Sequence, residues 1–221
     1  GAAAAVAQDK AGLTIVGLGR GRNRPVITFA TAAAASWDIS AASSHVENLV
    51  FVNGIDAQTA MINITAADCI IKGCEFQTGD ATTAAVLGIL TNASASRLLL
   101  DGNHFHGLVA ATGTTSQVSL VGGDSAIIRN NYFVGACGAT GNLLSATTAP
   151  TNSLIHDNAF LNQVADGNNK AIVLHASHTA LMFRNYIAVI DSTAPAPWTA
   201  AGAYFGGNYW VGAVDAAGTL R

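Results

Sequence analysis

Charge is what this chain of 221 residues most lacks: only 10% of it is Asp, Glu, Lys or Arg, and its formal net charge is -3. Such a surface has no general attraction for nucleic acid or anionic lipid, so no nucleic-acid or membrane partner is expected. No apolar run reaches about 18 residues, which excludes a membrane-spanning helix. Cysteine is also scarce. Cys69, Cys74 and Cys137 are odd in number and their spacing fits no zinc pattern, so they read as buried free thiols. Neither a metal nor a cofactor is expected. The 13 carboxylates are scattered and form no acidic cluster. Prolines are few, and Pro150, Pro195 and Pro197 fall in turns, where a missing N–H does little harm. The chain begins at Gly1, so it is expected to be a processed or excised piece lacking flanking regions.

What the chain has instead is a repeated phrase. Ile128-Arg129-Asn130-Asn131-Tyr132-Phe133 returns upstream as Leu100-Asp101-Gly102-Asn103-His104-Phe105 and downstream as Ile155-His156-Asp157-Asn158-Ala159-Phe160. Weaker copies end in Ile55, Phe76, Ile187 and Trp210, with an asparagine two residues before each anchor except at Cys74. Successive anchors are 21, 29, 28, 27, 27 and 23 residues apart. A period of that size signals a solenoid, and short β-branched runs broken by Gly, Asn and Thr make each unit one rung of β-structure.

The pattern aliphatic-x-x-Asn-x-Phe over about residues 46–210 resembles the right-handed parallel β-helix of the pectate-lyase-like superfamily, which includes many phage tailspikes and other virion proteins. Gly12 to Gly19, followed by Pro25-Val26-Ile27-Thr28-Phe29, is similar to the first rung of such domains. The fold class expected is therefore all-β, a right-handed parallel β-helix of about seven rungs in a single domain, residues 1–221. Alanine-rich residues 1–11, stopped by Gly12, are expected to form a short helix capping the open end. Residues 12–45 would make the first rung, 46–210 the repeated rungs and 211–221 the C-terminal end.

Stacked rungs turn alignment columns into ladders about 4.8 Å apart. Asn53, Asn103, Asn131, Asn158, Asn185 and Asn208 form a structural ladder at a tight turn. Four residues before the anchor stand Phe51, Lys72, Asp101, Arg129, His156 and Phe183, too charged for the bore, so this column faces out. The next column inward in sequence faces the core. The one before that, Leu49, Ile70, Leu99, Ile127, Leu154 and Leu181, should then face out again. A bulge could flip that column inward; without one, an aliphatic stripe of that length is rarely left in water and is expected to be a partner interface, most simply in a homotrimer.

For catalysis the chain offers little. Asp101 and Asp157, with Arg129 between them and His156 beside, make the best case, at a separation of roughly 10 Å, bordering the inverting-glycosidase range. His104 and His106 share a face but have no carboxylate column near them, and His175 and His178 read as exposed turn residues. The basic turn Arg20 to Arg24 reads as solvated. The resemblance implies a structural virion component of a phage, a head decoration, fibre or tailspike shaft, acting as a rigid oligomer with other virion proteins as partners. The alternative it implies is a carbohydrate-active enzyme, lyase or hydrolase, or a glycan-binding module, with a polysaccharide as partner and an extracellular or cell-surface location.

Overall fold

Residues 6–79, 83–107, 114–137, 140–145, 147–163, 170–189 and 198–211 are described by the computed structural model, in which the chain winds into a parallel β-solenoid of about seven turns. Each turn gives one short strand to each of three sheets, here A, B and C in the order the chain visits them. Among the described residues every sheet has eight strands, all paired in parallel between consecutive turns. One turn reads Leu87–Thr91 in sheet A, Leu99–Asp101 in sheet B and His104–His106 in sheet C.

The bore is filled because side chains at the same register of successive strands point inward, one per strand in sheet B and two in most strands of sheet A. In sheet C that column is Ile27, Phe51, Phe76, Phe105, Phe133, Phe160, Ile187 and Trp210. Its phenyl rings lie face to face, with centroids 5.1, 4.5, 4.7 and 4.7 Å apart from Phe51 to Phe160. Burying each ring is worth about 1.5–3 kcal/mol, and stacking adds about 0.5–1.5 kcal/mol per pair. Sheet B contributes Val46, Ile71, Leu100, Ile128, Ile155 and Met182, all fully buried.

Between sheets B and C the chain turns in two residues at seven consecutive levels, from Glu47–Val50 to Gly206–Tyr209. The first of the two is always left-handed: Asn48, Gly73, Gly102, Asn130, Asp157, Arg184 and Gly207 have φ of 51–65°. The second occupies the ladder position. From Asn103 upward it is an asparagine, and at the inner levels its amide is fully used. Asn131 Oδ1 accepts the backbone N–H of Asn103 at 2.9 Å and its Nδ2 at 3.0 Å, while Asn131 Nδ2 donates to Leu100 O and to Asn158 Oδ1. The pattern repeats through Asn158, Asn185 and Asn208, and it stops at Cys74, whose N–H donates to Asn103 Oδ1. The left-handed backbone therefore sits one residue before the asparagines rather than on them.

Three expectations need correction. The N-terminal helix is not seen: Val6–Gln8 is a strand paired with Trp37–Ile39, residues 9–11 pass through a bend into a turn, and residues 1–5 of the expected cap lie outside the described residues, as do Pro195, Pro197 and residues 212–221. The one helical element among the described residues is the 3-10 turn Gly21–Asn23. The first repeat is also displaced by four residues. Phe51, not Ile55, pairs with Phe76, so Phe51 is core, Leu49 takes the ladder position and Asn53 falls beside Phe29 at the end of its strand. Leu49 is accordingly buried at 3% exposure and leaves the outward stripe, where His45 replaces it.

Replacing a ladder asparagine tests the corner. Asn158→Ala orphans the Asn131 N–H and the Ile128 carbonyl inside the protein and is expected to cost about 2–4 kcal/mol. Asn208→Ala, at the half-buried end of the ladder, should cost clearly less, as read from urea unfolding midpoints.

Candidate functional site

Strand alternation leaves two outward columns on sheet B. The first runs His45, Ile70, Leu99, Ile127, Leu154, Leu181 and Tyr204 in register. Its members are half-buried as far as Leu154; Leu181 is 40% and Tyr204 71% exposed. No bulge turns the stripe inward. Beside its upper end a shallow groove of about 290 Å³ opens between Asn152, Leu154, Thr179, Leu181, Gly202 and Tyr204.

The second column is Glu47, Lys72, Asp101, Arg129, His156 and Phe183, where neighbouring turns neutralise each other. Lys72 Nζ lies 3.7 Å from Glu47 and Arg129 Nη2 lies 2.9 Å from Asp101. Asn130 Nδ2 adds a second bond to Asp101. Burial raises the Asp101 pKa, but the bonds from Arg129 and Asn130 and the charges of Arg129 and Lys72 outweigh it and hold the carboxyl below its usual range. Asp157 stands apart, in the corner. Arg184 grips it through Nε at 2.7 Å and Nη2 at 2.6 Å, and His156 Nδ1 approaches to 2.6 Å, so these contacts push its pKa well down. The His156 ring stacks on Phe183, over which the Arg184 guanidinium also lies. Of the four residues singled out for catalysis, Asp101 pairs with Arg129 and Asp157 with His156. Both carboxyls are locked as anions, which removes the proton a general acid must carry.

Sheet C overturns the expectation that no carboxylate stands near His104 and His106. Glu75, in register with His104, is a hub: Arg24 Nη2 bonds it, His106 Nε2 meets it at 2.8 Å and Gln77 Nε2 donates to it at 2.8 Å. Arg24 thus reaches from the basic turn onto the sheet instead of into solvent. Burial raises the Glu75 pKa, yet these bonds and the charges of His106 and Arg24 bring it below normal. The His104 ring stacks on His106 at 4.7 Å and meets Tyr132 edge-on at 4.9 Å. The outward column continues through Ala159 to Tyr186 and Tyr209, 50% and 73% exposed.

The described residues hold no set of three or more His, Cys, Asp or Glu side chains arranged to hold a metal ion. The three cysteines are free and buried, and burial pushes the thiols of Cys74 and Cys137 up to about 11 and about 12, so both stay protonated. No family model, curated protein or solved structure matches this chain.

His178 overturns the reading of an exposed turn residue. It is fully buried, with Nδ1 2.8 Å from Ser145 Oγ and Nε2 3.0 Å from Ser153 Oγ, so it fastens sheet A to sheet B across neighbouring turns. Burial, helped by the charge of His175, lowers its pKa from 6.5 to about 4. Between those values the unfolded chain binds a proton that the folded chain refuses. Stability is then complete above about pH 6.5 and falls as pH drops toward 4, by up to about 3 kcal/mol. Unfolding midpoints at pH 7.5 and pH 4.5 should differ by more in the native chain than in His178→Gln, where this contribution is absent.

Proposed function

We propose that this chain is a structural component that works as a rigid oligomeric scaffold, of the kind that forms head decorations, fibres or tailspike shafts in phage particles. Its location is then the virion, and its partners are further copies of itself, three in all, and other virion proteins. The winding is right-handed, which the near-universal handedness of parallel crossovers favours. The observation that carries this reading is the outer face of sheet B, where an unbroken aliphatic column ends in exposed Leu181 and Tyr204 beside charges already paired within the chain. A face with apolar side chains and no unpaired charge can be covered by protein at little desolvation cost. The stack behind it supplies stiffness, because every turn is bonded along three sheets to the turns on either side.

A second reading is a glycan-binding module or carbohydrate-active enzyme, at the cell surface or outside the cell. It is favoured by one feature, the exposed tyrosine column of sheet C, whose ring faces could stack on sugars.

Light scattering at micromolar concentration should give a particle of three times the chain mass of 22.4 kDa, and Leu154→Lys with Leu181→Arg should reduce it to single chains that keep their β-sheet circular dichroism. A monodisperse single chain of the native protein would refute the scaffold. Acidic and neutral polysaccharides incubated with the protein should show no change in viscosity or reducing ends; any change would favour the second reading.

A further inference from the structure

The corner between sheets B and C differs from the other two. It has two residues at each of seven levels, whereas the chain between sheets C and A takes seven to nine residues at every level, from Phe29–Trp37 to Val189–Trp198. The B–C edge is consequently smooth, with the aliphatic column on one side of it and the tyrosine column on the other. The two columns are also matched in height. Leu181 and Tyr186 belong to one turn, and Tyr204 and Tyr209 to the next, so the groove on sheet B and the exposed rings on sheet C lie at the same levels of the stack.

Resting on the scaffold reading, we infer that copies of this chain join side by side, the sheet C tyrosines of one copy seated against the sheet B stripe and groove of the next, around an axis parallel to the solenoid. A contact in which one copy gives one face, its neighbour gives the other, and each keeps its second face open is heterologous, so it propagates until a ring closes, and three copies make the smallest such ring. Equal height is what a ring demands, since any offset would generate a rising helix. Area points the same way. Two outward columns over seven steps cover roughly 34 by 10 Å, about 340 Å² of projected face, less than the roughly 800 Å² per partner of a standard interface. A lone contact of that size is weak, whereas a copy in a closed ring makes two of them at once, about 680 Å² in all. The charges next to the edge do not oppose closure, because Lys72, Arg129, Arg184 and Arg24 each already pair with a carboxylate of the same chain.

Cysteine crosslinking tests the contact, since the native thiols are buried. Chains carrying Leu181→Cys, co-expressed with chains carrying Tyr186→Cys, should give an oxidised two-chain band. Neither variant expressed alone should give one, and the double variant should give a closed three-chain species. Tyr204→Cys with Tyr209→Cys repeats the test at positions exposed enough to leave folding intact. A three-chain particle in which Leu181→Cys crosslinks to itself, or in which no mixed pair crosslinks, overturns this contact and leaves the scaffold standing. A native single-chain particle overturns both, and quenching of its tyrosine emission by added polysaccharide would assign the column to glycan instead.

Discussion

An asparagine amide that accepts two hydrogen bonds from the turn below can do so only if the two turns sit one strand spacing apart with their corners superposed. Asn131, Asn158, Asn185 and Asn208 impose that condition four times over, each Oδ1 taking both a backbone and a side-chain donor. A ladder buried this deeply has no water to substitute for a missing partner, so a slip by one residue would orphan several groups at once. The left-handed residue before each asparagine makes the bend sharp enough to complete in two residues, and glycine, asparagine and aspartate supply most of these positions. Superposed corners then force the Phe51 to Phe160 rings into one stack and the outward residues into straight columns. The charge pairs Arg129 with Asp101 and Arg184 with Asp157 follow from the register rather than cause it, since exposed pairs of this kind contribute only about 0–1 kcal/mol each.

Periodicity made the stack legible, and the outward columns with it, wherever the Asn-x-Phe phrase was intact. From Phe76 onward every anchor pairs with its neighbour as the alignment spaces them. The frame survived a missing asparagine at Cys74, where Phe76 keeps its register, and failed at the start of the repeats. At the first full turn the ladder position is Leu49, and the nearby Asn53 imitated the phrase four residues late; the usable signal was Asn48, a residue type suited to the left-handed corner. The N-terminal segment failed for a different reason. Alanine is a strong helix former, but Val6–Gln8 finds a ready edge in Trp37–Ile39, and ladder pairing outweighs a local preference of a few tenths of a kcal/mol per residue.

Polar residues in the variable corners could not be read in the same way. His178 lies between sheets A and B, where the linking segment has seven residues from Ser145 to Ser153 but five from Leu174 to Ala180. No column runs through such a corner, so nothing in the alignment brings Ser145 and Ser153 to one imidazole. The burial of His178 and its lowered pKa are properties of that three-dimensional meeting. Glu75 marks the boundary between the two cases. Its column was fixed by the phrase, next to His104, whereas its partner Arg24 arrives from a turn 51 residues earlier that carries no repeat.

A solenoid has a weakness that its sides alone can remedy. Each turn touches only the turns above and below, so stability accumulates as a one-dimensional sum and opening at one level is felt weakly at the next but one. The ends are the most vulnerable, and at the last turn the bore is closed by Trp198, Phe205 and Trp210, with Trp198 5.3 Å from Phe205 and 5.6 Å from Trp210. A lateral surface, by contrast, spans every level. Contact along the sheet B stripe would tie distant turns to the same neighbour, so that loosening one turn would cost interface at all of them. The two-residue corner, which leaves that flank free of loops above the first turn, is thus the feature through which a stack of separate turns can become one stiff cooperative rod.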